Sequence, residues 1–197
     1  MTSGPGTTAA SGARDVILRF EDVHKAFGAQ RVLRGLSFDV ERGKVLGLMG
    51  GSGTGKSVAL RHVIGLLQPD AGRVEVEGHN VSTLSAHEMS ALRKRMGYVF
   101  QEGALINWLT VEENLALPLV ENTDLGRGEI ADRVAEKLAM VHIPDAGKKL
   151  PSEISGGMKK RVGLARALIV EPDILLYDEP NAGLDPEISR SINDLMR

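Results

Sequence analysis

At 197 residues the chain fits one domain of ordinary size, and its 42% apolar and 25% charged residues lie in the range of globular proteins, which excludes bulk disorder. No stretch approaches the ~18 uninterrupted apolar residues of a spanning helix, and the N-terminus lacks the basic-then-apolar order of a signal peptide, so membrane contact is expected only through a partner. A formal net charge of -2 offers no general field for a polyanion, so no nucleic-acid partner is expected; zero cysteines exclude disulfides and thiolate metal sites and suit a reducing, cytoplasmic setting.

Residues 1–15 are rich in Gly, Ser, Thr and Ala and carry almost no large apolar side chain, so they read as a flexible tail. Val16 to Phe20 and Leu36 to Val40 read as strands of an antiparallel N-terminal sheet. After a turn at Glu41 to Lys44, the continuous apolar run Val45 to Met49 predicts a strand covered on both faces. Val58, Leu60, Val63, Ile64 and Leu67 then recur at helical spacing until Gln68 to Gly72 breaks the run, and Arg73 to Gly78 alternates as a short strand. Ser85 with Glu88 is a capping-box pattern for a helix through about Arg95, and Tyr98-Val99-Phe100 is the next strand. Thr110 with Glu113 repeats the pattern and opens a helical region reaching about Lys149, read as an inserted helical subdomain. Ile174 to Tyr177 is a second buried strand that runs into two acids, Asp178 and Glu179. The basic runs Arg93-Lys94-Arg95 and Lys159-Lys160-Arg161 read as solvated helix faces.

The chemistry concentrates in Gly50-Gly51-Ser52-Gly53-Thr54-Gly55-Lys56-Ser57, which matches G-x-x-x-x-G-K-[ST] between a predicted strand and a predicted helix. Glycines there let the backbone take positive φ angles and turn successive N–H groups toward phosphate oxygens at a helix N-terminus. Lys56 would lie along the β- and γ-phosphates of ATP, and the Ser57 hydroxyl would be a ligand of Mg²⁺. Asp178 ends a buried strand, where open α/β sheets place their ligand sites, and would hold Mg²⁺ through its waters. Glu179, one residue further out, is the choice for the base that orients or deprotonates the attacking water.

Glu153 to Arg161 narrows the field: Ser155-Gly156-Gly157 opens a helix with a capping hydroxyl and bare amides, and Met158, Val162, Ala165 and Ile169 continue as a buried stripe. This segment resembles the signature of ABC transporter ATP-binding subunits, with Met158 where the usual pattern has Gln. The resemblance covers nearly the whole chain from Val16. It implies an α/β P-loop NTPase of the ABC type, with an antiparallel N-terminal β-subdomain, an ATP-binding domain over residues 16–197 and a helical subdomain at about 102–165.

The same resemblance makes Gln101 the Q-loop glutamine, which contacts Mg²⁺ and the attacking water and relays the nucleotide state to the helical subdomain. Ala182-Gly183-Leu184-Asp185 resembles the D-loop, and Phe27 stands where the family stacks an aromatic on adenine, against even odds that it is a core residue. It implies a homodimer in which the phosphate loop of one subunit and Ser155-Gly156-Gly157 of the other enclose each ATP. It also implies an integral-membrane permease partner and a peripheral place on the inner face of the cell membrane.

Within the family, the stretch from Ser57 to Leu67, Phe100 to Leu105 and Met158 are similar to the ATPases of Mla/Mce-type phospholipid transport systems, which adds an Mce-type lipid-binding protein to the expected partners. Trp108 reads as a packing residue slightly ahead of a partner contact, because Trp is highly buried on average. The five histidines show no ligand spacing and carry no assigned chemistry.

Family members continue past the D-loop with a strand and a switch histidine. Without them a gap is expected in the central sheet beside the phosphate-loop strand, the 197 residues read as a truncation, and hydrolysis by them alone is expected to be poor. A nucleotide-binding fragment that does not turn over is the second reading; a soluble DNA-repair or translation ABC protein is the third, disfavoured by the acidic balance.

Overall fold

The computed structural model describes residues 15–101 and 103–178. Two long antiparallel strands, β1 (Val16–Phe27) and β2 (Gln30–Glu41), close on a two-residue turn where Gly28 takes φ +59°. Phe20 on β1 stacks on Phe38 of β2 with ring centroids 4.6 Å apart, the cross-strand aromatic pairing that a pleated face favours. Strand β3 (Ala71–Val76) pairs with the other edge of β1, and the short β4 (His79–Asn80) folds back on β3, giving the order β2-β1-β3-β4. The expected N-terminal sheet is therefore present and larger than the two runs alone implied. Asp15, counted with the tail in the sequence reading, is held to this sheet by Arg42, whose Nε donates to its Oδ2 at 3.0 Å.

One glycine in this sheet is dictated by close approach. At the register shift between β1 and β3, Gly72 adopts φ +79°, and a Cβ there would lie 2.2 Å from the Asp22 carbonyl oxygen and 2.4 Å from that of Glu21. Both obstacles are backbone and cannot swing aside. Gly72→Ala is expected to cost about 2–3 kcal/mol, combining left-handed strain with overpacking, and to lower the urea midpoint with an unchanged denaturant slope.

Helix α1 (Lys56–Val63) follows the glycine loop and buries Ala59 and Val63 in a cluster with Phe20, Val23, Val74 and Val76 of the sheet. Helix α2 (Ala86–Arg93) opens with the Ser85 and Glu88 capping box, both reciprocal bonds being formed. It stops two residues short of the expected end because Arg95 is drawn away: its side chain pairs with Glu77 and Asp173, and its carbonyl accepts the Asp173 and Ile174 amides.

Strand β5 (Met96–Val99) pairs in parallel with β6 (Ile174–Tyr177), Tyr98 opposite Leu176 and Val99 opposite Tyr177. Because side chains alternate along a strand, this pair serves two cores. Met96, Tyr98, Ile174 and Leu176 join the cluster of α1 and the N-terminal sheet. Val99, Leu175 and Tyr177 join the opposite cluster, built by α3 (Val111–Asn122), α4 (Arg127–Met140) and α5 (Gly156–Leu168). The region from Thr110 to Lys149 is helical as read, again with a complete capping box at Thr110 and Glu113. Leu115, Leu119, Val162 and Ile169 are fully buried there, each contributing about 1.5–3 kcal/mol by removal from water.

Two readings are corrected. Val45 to Met49 forms no strand; Val45 is 71% and Met49 97% exposed. A two-sided apolar strand exists only when ladders hold it on its edges, and among the described residues nothing pairs with this run, while β6 is paired only with β5. Trp108 is not a packing residue: it is 82% exposed. It sits on a segment pinned from beneath by the buried Asn114, whose side-chain amide donates to the Ile106, Leu109 and Thr110 carbonyls while its Oδ1 accepts the Ile106 amide. The polar requirements of Asn114 are met by the loop backbone, so the loop is shaped without burying the indole. A smaller correction concerns Lys159, Lys160 and Arg161, which are half-buried because the chain at Gly103 lies across that side of α5. Arg93, Lys94 and Arg95 are exposed as expected.

Candidate functional site

The loop from Gly50 to Gly55 turns the chain from the open run Val45–Met49 into α1, with Gly53 at φ +78° and Gly55 at φ +100°. A Cβ on Gly55 would stand 2.9 Å from both Val32 and Leu33 side chains, so the loop can rest on β2 only with glycine at that point. Thr54 Oγ1 donates to the Gly51 carbonyl at 2.9 Å and tightens the turn. Lys56 is the first residue of α1, and its Nζ donates to the Gly50 and Gly51 carbonyls at 2.8 and 2.9 Å. The ammonium thus stands over the loop at the positive end of a helix, a combination that attracts a polyanion.

The second half of the site comes from β6. Asp178 follows directly on Tyr177, its amide donating to the Val99 carbonyl at 3.0 Å and so extending the ladder by one residue. Strand parity puts its side chain on the face shared by Ile174 and Leu176, toward α1. There Ser57 Oγ donates to Asp178 Oδ1 at 2.7 Å, joining residues 121 apart in sequence. Tyr98 donates to the other oxygen, Oδ2, at 3.2 Å. Burial and the adjacent Asp178 carboxylate push the Tyr98 phenol up to about 12, so it is a protonated donor at neutral pH.

A hydroxyl and a carboxylate in contact, both hard oxygen donors at the foot of an anion-binding loop, fit a small divalent cation that keeps part of its water and phosphate shell. Among the described residues there is no cluster of three or more His, Asp or Glu that could form a separate metal cage. His62 is buried, with Nδ1 donating to the Val58 carbonyl and its pKa lowered by burial, so it is a neutral core residue of α1.

Gln101 lies just past β5, exposed, at the same carboxyl edge of the parallel pair as Asp178. Gly103 is clasped against α5. A Cβ on Gly103 would meet the Lys159 carbonyl oxygen at 2.5 Å, a Cβ on Gly163 would meet the Gly103 Cα at 2.7 Å, and Arg166 Nη2 donates to the Gly103 carbonyl at 3.0 Å. Gly163→Ala is expected to pry this contact apart at a cost of about 1–3 kcal/mol, visible as a lowered urea midpoint.

Ser155 caps α5, its Oγ accepting the Met158 amide at 3.2 Å, and Ser155 and Gly156 are exposed with open space around the Gly156 Cα. Phe27 is 48% exposed at the β1–β2 turn, with Lys25 Nζ 5.8 Å from its ring centroid, and so is not a core residue. Glu179 and Ala182 to Asp185 lie outside the described residues, as do the first fourteen.

Tyr98, Asn114 and Arg166 were missed in the sequence reading. Tyr98 alone had a usable signal: in a strand alternating its faces, it falls on the side of Leu176 and Asp178 once β5 and β6 are paired in register.

The ABC transporter family profile matches residues 33–182, spanning the loop, Gln101, the capped α5 and Asp178. This chain belongs to the ABC transporter family. It is 44% identical over 191 residues to the Arabidopsis thaliana protein TRIGALACTOSYLDIACYLGLYCEROL 3, chloroplastic, covering 93% of this chain and 55% of that protein. It is 42% identical over 181 residues to the probable ribonucleotide transport ATP-binding protein mkl of Mycobacterium leprae, covering 92% and 52%. The chain thus spans about half the length of the curated relatives it matches. Among solved structures, the ATP-binding cassette MJ0796, a dimer in a post-hydrolysis state with ADP and Pi, superposes with a TM-score of 0.84 at 30% identity over 91% of this chain and 81% of that one. The ABC-family fold read from the motifs is therefore correct: an α/β cassette with an antiparallel sheet and a helical group.

Proposed function

We propose that this chain is the ATP-binding and ATP-hydrolysing subunit that powers an ABC transporter moving phospholipid between membranes. The observation that carries the ATPase reading is the meeting of Ser57 with Asp178 at 2.7 Å beneath a lysine-covered glycine loop. Gly50 to Ser57 hold the phosphates of ATP, with Lys56 against the β- and γ-phosphates. Ser57, Asp178 and Gln101 hold Mg²⁺, which when bound supplies charge neutralisation to the phosphate oxygens. Glu179 takes the proton of the water whose oxygen bonds to the γ-phosphorus as the bond to the β-phosphate oxygen breaks and ADP leaves. Ser155, Gly156 and Gly157, with Gly156 in open space, close on the nucleotide of a second copy of the chain, and Phe27 offers an exposed ring for the adenine.

The helical subdomain spans about residues 102–165 of an ATP-binding domain that runs from 16 to 197. Among the described residues no helix is long and apolar enough to cross a membrane, and the partner that the family resemblance implies is an integral-membrane permease subunit. The exposed Trp108 beside the Gln101 segment is the contact offered to it, on the inner, cytoplasmic face of the membrane. The Clostridium perfringens protein cbiO1, 32% identical with a TM-score of 0.79 over 92% of this chain and 74% of that one, is part of the ABC transporter complex cbiONQ.

Phospholipid as cargo draws on the resemblance of Ser57–Leu67, Phe100–Leu105 and Met158, and on an Arabidopsis relative named for a diacylglycerol glycolipid. An Mce-type lipid-binding protein is the further partner this reading implies. Other relatives are named for ribonucleotide transport and, at 43% identity over 185 residues in Rhizobium johnstonii, for methionine import, which keeps those cargoes as the alternatives. The deciding experiment reconstitutes the full-length chain with its permease in vesicles and measures ATP-dependent movement of labelled phospholipid, ribonucleotide and methionine. Movement of lipid alone is expected. Phosphate release without lipid movement would retain the ATPase and reject the cargo, and ATP binding without phosphate release would make the chain a nucleotide-binding regulator instead.

A further inference from the structure

We propose that Tyr98 is the positioning residue for the metal-binding carboxylate: its hydroxyl holds Asp178 Oδ2, so that Oδ1 is kept turned toward Ser57 and the metal site. The inference rests on the reading of Ser57 and Asp178 as Mg²⁺ ligands, and it adds a residue that no sequence motif contains.

The backbone of Asp178 is fixed by its amide bond to Val99, but the carboxylate has two further rotations that the backbone does not control. Ser57 Oγ restrains one oxygen at 2.7 Å, and in a loaded site that hydroxyl is itself committed to the metal. Tyr98 restrains the other oxygen at 3.2 Å. Tyr98 in turn is well anchored. Its backbone is in the β5–β6 ladder opposite Leu176, and its ring lies 4.3 Å from the Phe100 ring. The carboxylate is thus held at both oxygens, by Ser57 from α1 and by Tyr98 from β5. Neighbours that orient a ligating carboxylate in this way commonly change metal affinity by about ten- to a hundredfold when removed.

Phenylalanine keeps the ring and its contact with Phe100 and removes only the hydroxyl, so Tyr98→Phe in the full-length chain is the test. Binding of a fluorescent non-hydrolysable ATP analogue in EDTA is expected to match the wild type. In the presence of that analogue, Mn²⁺ affinity read by electron paramagnetic resonance is expected to fall about tenfold. The Mg²⁺ concentration for half-maximal phosphate release is expected to rise in proportion, with turnover largely restored at saturating Mg²⁺. Mn²⁺ affinity equal to the wild type would overturn the role of Tyr98. Asp178→Asn separates the two levels: if it abolishes Mn²⁺ binding while Tyr98→Phe does not alter it, only Tyr98 is rejected, whereas unchanged Mn²⁺ binding in both rejects the metal site itself.

Discussion

Lys56→Ala is expected to weaken ATP binding by several hundredfold while leaving the thermal midpoint of the nucleotide-free protein almost unchanged. The loop backbone from Gly50 to Gly55 presents amides to an anion, but amides are partial charges, whereas the Lys56 ammonium is a full one placed over them by its bonds to the Gly50 and Gly51 carbonyls. A triphosphate gathers most of its negative charge at the β- and γ-positions, so removing the one full positive charge of the loop costs about 3–4 kcal/mol, the scale for truncating one member of a desolvated charge pair. The Gly50 and Gly51 carbonyls that the ammonium bonds lie on an exposed loop, where water can replace it, which is why stability is spared. Titration calorimetry with ATP measures the affinity directly. The rise in thermal midpoint that ATP gives the wild type is expected to vanish, since that rise depends on the ratio of ligand concentration to dissociation constant. Binding at the wild-type level would remove Lys56 from the site.

Glu179→Gln in the full-length chain is expected to lower the turnover number by about a hundred- to ten-thousandfold with ATP affinity retained. The amide has the shape of the carboxylate and still accepts a hydrogen bond from water, but it cannot take the proton that the attacking water must lose. A loss of turnover with binding intact identifies a group that acts in the transition state rather than in the bound ground state. The closed dimer is then expected to persist with ATP enclosed, read as a dimer peak on size exclusion that appears with ATP and Mg²⁺ and is absent in EDTA. Phosphate release at the normal rate would transfer the role of base to another residue.

These two expectations differ in how much structure they needed. The role of Lys56 is largely legible in the sequence, because a glycine run ending in Gly-Lys-Ser and followed by helical periodicity suits a phosphate cradle. The pairing of Ser57 with Asp178 was legible as a hypothesis only, since each motif is local and nothing in either one measures the 121 residues between them. Phe27 illustrates the opposite limit. A single aromatic at the end of a strand is compatible with a core or a surface, and only its placement at the open β1–β2 turn makes it available to a ligand.

The sequence by itself determined what depends on contacts three or four residues apart and on strand alternation: the capped starts of α2, α3 and α5, the glycine loop, and the acid that ends β6. Such features are settled by hydrogen bonds between near neighbours, which any window of a few residues already contains. Only the tertiary structure decided that Val45–Met49 stays open, that Trp108 faces outward over Asn114, and that Tyr98 reaches Asp178. The first and the last turn on which distant segment lies alongside, and the second on how buried Asn114 gathers the backbone of the loop before it. A strand needs ladder partners and a buried amide needs four bonding groups, so their states are set by the rest of the chain and not by their own residues.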